Sequence, residues 1–188
     1  MNILQTSIEE AAATLRSLSA LEPALTRAAE TVRRCLLDGH KLLVCGNGGS
    51  AADGADFSTE FTCRFKEDRR PFPAMNLSNG GSLVTAIGND YDFAEVFARQ
   101  VRAFGQDGDV LVVFSTSGRS PNIVRALEEA SANGLQSIAF LGRGGGAAAG
   151  MATVELLVPN TSAARTQESH KFMLHVICEM VDGDLARG

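Results

Sequence analysis

Short apolar runs alternate with segments of helical spacing from residue 41 onward. The clearest run, DVLVVF at residues 109–114, has no polar alternation within it, so we predict a strand that is covered on both faces. Similar runs predict strands at residues 41–46, 73–77, 137–141 and 154–158. Because helical segments separate these strands, the chain is predicted to form a parallel sheet with helices on both faces.

Residues 1–40 precede the first strand and show helical spacing in two segments, which are separated at Glu22-Pro23. Proline suits the first turn of the second helix. This helical arm has no sheet of its own, so we expect it to pack on the sheet, on another subunit, or on both. No repeat or linker follows, and we therefore predict one domain, residues 1–188, made of the arm (1–40) and an α/β core (41–188).

Charge and cysteine content narrow the class of protein. The net charge of -5 argues against non-specific nucleic-acid binding, which requires a cationic surface. The four cysteines show no C-x-x-C pairing and are expected to be reduced thiols in a cytosol. No apolar run approaches the ~20 residues of a membrane span, and the start lacks a signal peptide's basic region. We predict a cytoplasmic protein without nucleic-acid or membrane partners.

The first strand ends in a glycine-rich turn, Gly46-Asn47-Gly48-Gly49-Ser50, before an alanine-rich helical segment. Such a turn can point backbone N–H groups at an anion. Its spacing also fits the loose dinucleotide fingerprint, but the second strand carries no acid to hold a ribose. A plain tight turn is the other alternative. In parallel sheets, ligands sit beyond the carboxyl ends of strands, so this turn should meet the loops after residues 77 and 114.

A run of hydroxyls, Ser115-Thr116-Ser117-Gly118-Arg119-Ser120, follows the buried strand at residues 109–114 and precedes a helix. Hydroxyls and free N–H groups at a helix start can hold a phosphate without a positive charge. The alternative is helix capping, which requires only one Ser or Thr. Four hydroxyls in six residues exceed that requirement and favour a phosphate site.

Three acids, Asp53, Asp56 and Glu60, fall within about a 60° stripe of the helix that follows the glycine turn. A solvated acidic face explains such a stripe equally well. However, Glu60 lies among phenylalanines in the sequence, and a carboxylate in apolar surroundings can act as a general base.

The last helical segment carries a second stripe, Gln167, Lys171 and His175, at spacings of four, with His170 off that stripe. A helical histidine is usually structural. Because His175 is flanked by apolar residues, it requires either a hydrogen-bond partner in the core or a place in a site.

Four motifs occur in order along the chain: residues 46–53, 86–90, 115–120 and 165–170. Together they resemble the sugar isomerase (SIS) domain proteins, and most closely the phosphoheptose isomerases. The resemblance implies a flavodoxin-like, doubly wound parallel sheet of five strands with an N-terminal helical arm. It also implies a homotetramer whose active sites lie between subunits.

The activity implied by the resemblance is an aldose–ketose isomerisation. Sedoheptulose 7-phosphate would be converted to D-glycero-D-manno-heptose 7-phosphate through an enediolate, for the heptose pathway of the bacterial cell envelope and its lipopolysaccharide. Two alternatives stay open, because a fold does not fix an activity. One is a non-catalytic SIS-domain regulator that binds the replication initiator, and the other is an isomerase of another sugar phosphate.

The resemblance also implies roles for individual residues, with Glu60 matching the family's base and His175 its acid. Substrate contacts are expected for Asn47, Gly48, Gly49, Ser50, Asp53, Glu60, Asn89, Asp90, Ser115, Thr116, Ser117, Ser120 and Gln167.

Zinc-binding members of the family use a His, a Glu, a Gln and a second His as metal ligands. Glu60, Gln167 and His175 match three of these places, and Asp56 stands in the place of the first His. Because aspartate can ligate zinc, three outcomes are open: a zinc site with one more negative charge, a site for another metal, or no metal.

Overall fold

A computed structural model describes residues 2–188 as alternating strands and helices. The strands are β1 (Leu42–Gly46), β2 (Ala74–Asn76), β3 (Val110–Ser115), β4 (Gln136–Leu141) and β5 (Val154–Leu157). The α-helices are α1 (Ile3–Ser17), α2 (Glu22–Leu37), α3 (Gly49–Thr62), α4 (Ser82–Asp90), α5 (Ala98–Phe104), α6 (Pro121–Ala132) and α7 (Ala163–Arg187).

The five strands form one sheet in the order β2-β1-β3-β4-β5, and every pair of neighbours is parallel. Val44 of β1, for example, lies opposite Asn76 of β2 and Val112 of β3. The order reverses at β1, which has β2 on one side and β3 on the other. The predicted doubly wound sheet is therefore confirmed, and its ligand crevice is expected at the carboxyl ends of β1 and β3.

Helices cover both faces of the sheet, as the apolar strands require. Val44 and Val112 point into a cluster with α2, α3 and α7. Their neighbours Cys45 and Val113 point into the opposite cluster, with α4, α5 and α6. The helices that follow β1 and β3 thus lie on opposite faces, which opens the crevice between the two strands.

The N-terminal arm packs on the sheet and on α7. Leu25 and Val32 of α2 join the same core cluster as Met173 and Ile177 of α7. Arg165 of α7 also donates a hydrogen bond from Nη1 to the backbone oxygen of Ser7, at 2.6 Å. The arm's predicted packing on the sheet is therefore confirmed.

The spacing of Phe93, Val96, Phe97, Val101 and Phe104 predicts one helix over residues 93–104, and this prediction is wrong in its first half. The structure has a short 3₁₀ turn at Phe93–Glu95, and α5 begins only at Ala98. The side chain of Asp92 accepts a hydrogen bond from the backbone N–H of Ala94, at 2.7 Å, and so starts a separate turn. The spacing of apolar residues cannot predict this local capping interaction, because capping depends on a polar side chain that is not part of the apolar pattern.

Candidate active site

The glycine turn after β1 is joined to two neighbouring loops. The Ser78 hydroxyl, which follows β2, donates to the backbone oxygen of Gly46 at 2.9 Å and accepts from its N–H at 3.1 Å. The side chains of Asn47 and Asn122 exchange two hydrogen bonds, of 2.9 and 2.8 Å. Because Asn122 lies in the first turn of α6, the loops after β1, β2 and β3 meet at one place, as predicted.

The same turn also touches α7. A Cβ built on Gly49 would lie 2.5 Å from the side-chain amide of Gln167, so the Gln167 side chain lies directly against the backbone of the turn. Gly49 begins α3, and Gln167 lies in the second turn of α7. The glycine turn therefore connects the loop that precedes α6 with the first turns of α7.

The hydroxyl-rich loop after β3 uses two of its side chains to hold its own shape. Ser115 Oγ accepts from the Gly118 N–H at 3.0 Å, and Ser117 Oγ accepts from the Arg119 N–H at 3.3 Å. Ser120 occupies the N-cap position of α6, yet within residues 2–188 its hydroxyl caps no N–H group. Capping therefore does not explain Ser120, and the uncapped helix start fits an anion.

Gly118 fixes this loop against the segment after β4. Its φ of +60° lies in the left-handed region, and a Cβ there would overlap the backbone oxygen of Gly145. The Gly118 oxygen in turn accepts from the Ala148 N–H at 2.9 Å. The loop is therefore backed by a second glycine-rich segment that leaves no space for a side chain.

Glu60 and His175 lie on facing helices. Among residues 2–188, the half-buried Glu60 carboxylate forms no hydrogen bond or ion pair, whereas its backbone oxygen accepts from Arg69 Nη2 at 2.6 Å. Burial raises the pKa of the Cys178 thiol, and the Glu60 charge adds to that effect, which places Glu60 beside α7. His175 lies one turn before Cys178 and stacks on Phe65 with ring centroids 6.0 Å apart. An unpaired carboxylate and an imidazole on two helices that pack together are the residue types that act as a base and an acid.

The other two acids of α3 bind Lys171 of α7. Asp53 Oδ1 lies 3.1 Å from Lys171 Nζ, and the Asp56 carboxylate pairs with the same ammonium. Burial raises the pKa of Asp53, and Lys171 opposes that shift. Burial alone would lower the pKa of Lys171, but hydrogen bonds and charge from Asp56 and Asp53 outweigh it, and the pKa is raised. The acidic stripe is therefore not a simply solvated face.

A cavity of about 480 Å³ opens beside this ion pair. It is lined by Asp53, Ala164, Gln167, Glu168 and Lys171. Asp53 is only 1% exposed, and its second oxygen, Oδ2, has no hydrogen-bond partner within residues 2–188. A buried acceptor without a partner is costly unless a ligand supplies a donor, and a sugar hydroxyl can do so.

The four residues matched to a zinc site do not converge within one chain. Gln167 and His175 lie eight residues apart on one face of α7, which is about 12 Å along the helix axis. Lys171 lies between them and binds Asp56. Across residues 2–188, no group of three His, Cys, Asp or Glu residues could hold a metal ion. The residues of a single chain therefore do not fit zinc.

Asn89 and Asp90 lie apart from the cavity just described. They form the exposed C-terminal end of α4, where Asn89 Nδ2 donates to Asp90 Oδ1 at 2.8 Å. Asp90 lines a separate cavity of about 250 Å³ with Tyr91 and Arg99. Their contact with substrate stays a prediction.

Three contributors to the site had no predicted role: Ser78, Asn122 and Lys171. Asn122 is a buried polar residue directly after the hydroxyl loop, and that position in the sequence could have indicated it. Lys171 occupies the centre of the stripe between Gln167 and His175, which could also have indicated a role.

Comparison with known proteins agrees with this architecture. The sheet order is that of a flavodoxin-like fold, and the SIS domain family model matches residues 8–142, so the chain is a SIS-domain protein. Over 185 residues the chain is 42% identical to the phosphoheptose isomerase of Shewanella sp. (strain ANA-3), and the match covers 97% of this chain and 90% of that protein.

Two solved structures extend the comparison. A phosphoheptose isomerase from Francisella tularensis is 37% identical, with a TM-score of 0.92 and coverage of 96% of each chain. The phosphoheptose isomerase from Neisseria gonorrhoeae is 39% identical, with a TM-score of 0.90 and coverage of 96% of this chain and 97% of that one. The chain therefore belongs to the phosphoheptose isomerase family of SIS-domain isomerases.

Proposed function

We propose that the protein converts sedoheptulose 7-phosphate to D-glycero-D-manno-heptose 7-phosphate. One observation carries this proposal: the glycine turn contacts α6 at the hydroxyl loop through Asn47, and α7 at Gln167 through Gly49. An anion-binding loop is thereby connected to the helix that bears His175. A substrate with a phosphate at one end and a carbonyl at the other matches this arrangement.

The hydroxyl loop binds the phosphate, which is remote from the reacting carbons. Binding energy at this end positions the sugar chain for reaction at the other. Ser120 and the first N–H groups of α6 face the anion, and the loop is held by Gly118 against its glycine-rich neighbour. No positively charged side chain is required, because the helix start carries partial positive charge.

Glu60 and His175 perform the proton transfers. Glu60 removes a proton from C1 of the ketose, and the electron pair moves to form the C1–C2 enediolate. His175 moves a proton between the two oxygens, so that O2 gains the proton that O1 loses. The proton held by Glu60 returns to C2, which gives the aldose. General acid and base groups of this kind each contribute about 10²–10⁴-fold to the rate.

The test replaces each of these groups. Glu60→Gln and His175→Ala should each lower kcat for sedoheptulose 7-phosphate by about 10²–10⁴-fold, with the circular dichroism spectrum unchanged. Glu179→Gln is a matched control, because Glu179 lies on α7 like His175 but forms only an exposed ion pair with Lys66, which lies in the loop after α3. A kcat close to that of the unmodified protein in either site variant would show that the assignment is wrong.

The non-catalytic regulator is not favoured, since the relatives that match over nearly the whole chain are phosphoheptose isomerases. The second alternative is an isomerase of another sugar phosphate. It is tested by comparing kcat/KM for sedoheptulose 7-phosphate with kcat/KM for ketose phosphates of other chain lengths.

A homotetramer is also part of the proposal. The supporting observation is that apolar side chains of α1 and α7 are exposed in the single chain: Ile3, Leu4, Ile8, Phe172 and Met180. Light scattering coupled to gel filtration should give a mass of about four chains. A monomer in solution would contradict this part of the proposal.

The heptose pathway of the bacterial envelope and a cytoplasmic location complete the proposal. Across residues 2–188, none of the helices is both long and apolar enough to traverse a lipid bilayer. Cys35, Cys45, Cys63 and Cys178 are free thiols, as a reducing compartment would keep them.

A further inference from the structure

Lys171 reaches from α7 across to two carboxylates of α3. Its Nζ lies 3.1 Å from Asp53 Oδ1 and pairs with Asp56 as well. The two acids lie within about one turn of each other on the helix that carries Glu60. The structure therefore holds a positive charge in place between the acidic stripe of α3 and the polar stripe of α7.

The ammonium is accessible from the cavity. The Lys171 side chain is 33% exposed and lines the cavity of about 480 Å³ together with Gln167, whereas the Asp53 side chain is 2% exposed. An ammonium has three donors, and the two carboxylates accept two of them. The third donor is free to bind an oxygen atom of a molecule in the cavity.

Lys171 lies among the residues that fail to assemble a metal site. Asp56 pairs with Lys171, and Gln167 and His175 lie one helical turn before and after it on the same stripe. A cation bound at Asp56 would have to displace the ammonium and would meet its charge repulsion. Lys171 thus occupies the place where a divalent ion would supply positive charge.

We propose that Lys171 is the resident cation of this site and makes a metal unnecessary. This inference rests on the proposed isomerase function. The ammonium donates a hydrogen bond to the sugar oxygens and stabilises the negative charge that develops on them as the C1 proton leaves. Asp53 and Asp56 hold it in position, and Asp53 Oδ2 remains available for a sugar hydroxyl.

The first experiment measures activity. The unmodified protein, dialysed against a chelator, should keep its kcat within about twofold, and added zinc should not raise it. Lys171→Met should lower kcat by about 10²–10³-fold, as expected for loss of one donor to the developing charge. Lys66→Met is the matched control, since its exposed ion pair with Glu179 joins the same helix and should leave kcat unchanged. A structural lysine would alter the melting temperature and leave kcat intact, which would overturn the inference.

The second experiment measures metal binding and does not depend on isomerase activity. After dialysis with excess zinc and gel filtration, the unmodified protein should hold almost no zinc by elemental analysis. The double variant Asp56→His with Lys171→Met removes the ammonium and adds an imidazole, and it should hold about one zinc ion per chain. Stoichiometric zinc in the unmodified protein, or chelator-sensitive activity, would overturn the inference.

The two experiments distinguish failure of this inference from failure of the proposed function. If the unmodified protein is inactive on sedoheptulose 7-phosphate with and without metals, the proposed substrate is wrong. In that case the zinc content of the unmodified protein and of the double variant still decides whether Lys171 excludes a metal.

Discussion

His170 makes the stability of the fold sensitive to acid. It lies fully buried on α7, where Nε2 is 3.2 Å from the backbone oxygen of Leu141. The rings of Phe114 and Phe140 face it edge-on, with centroids 6.1 and 5.8 Å away. Burial lowers its pKa to about 4, against which the hydrogen bond to Leu141 acts only weakly. The imidazole is therefore neutral in the folded protein at neutral pH.

The size of the effect follows from this pKa difference. The unfolded chain binds a proton at His170 near pH 6.5, whereas the folded chain binds it only near pH 4. Stabilisation from the neutral ring is complete above pH 6.5 and is lost as the pH falls toward 4, since only the unfolded state gains the proton in that range. A difference of about 2.5 pKa units corresponds to about 3 kcal/mol.

The assay compares urea denaturation of the unmodified protein and of His170→Gln at pH 7, 5.5 and 4. The glutamine amide can still donate to the Leu141 oxygen, but it does not titrate. The difference in free energy of unfolding between the two proteins should shift by about 3 kcal/mol in favour of the variant between pH 7 and 4. Parallel pH profiles for the two proteins would refute the reasoning.

Two substitutions at the hydroxyl loop, together with one control substitution, give further predictions. Gly118→Ala should raise KM by at least about tenfold, because the added Cβ would overlap the Gly145 oxygen and displace the loop. A tenfold change corresponds to about 1.4 kcal/mol of binding free energy. Gly150→Ala has a similar positive φ but open space around it, so steady-state kinetics should show an unchanged KM. Asn122→Ala should lower the free energy of unfolding by about 1–3 kcal/mol in urea titrations, since the Asn47 side chain loses both of its hydrogen bonds to Asn122. An unchanged KM in the first variant, or unchanged stability in the third, would contradict these contacts.

The sheet could be predicted from sequence because each strand is a local apolar run. The strand predicted at residues 109–114 appears as β3 at Val110–Ser115, shifted by one residue. The shift has a physical cause: Asp109 is buried and its carboxylate accepts from the backbone N–H groups of Lys41 and Gln106, so it ends a turn. A polar side chain that binds backbone groups can therefore move the end of an element by a residue or more.

Parts of the site could also be predicted, because loops after neighbouring parallel strands must meet at one edge of the sheet. The pair Lys171 and Asp56 could not be predicted in the same way. The two residues lie 115 positions apart in the sequence, and their contact depends on how α7 crosses α3. The apolar periodicity of each helix predicts which face is buried, but it does not predict that crossing. The spacing of the polar residues on each helix indicated that they share one face of that helix. Only the packing of the two helices shows that Lys171 on α7 neutralises the carboxylates on α3.

The docking of α2 against α7 has a consequence for synthesis of the chain. α2 ends at Leu37 and α7 begins only at Ala163. At typical elongation rates, the ribosome takes on the order of 10 s to add the residues between them. Throughout that interval the apolar side chains of α2 that will contact Met173 and Ile177 remain uncovered. A nascent chain is therefore most exposed to misassembly just before its last helix emerges, and a chain truncated within α7 would keep that surface permanently open.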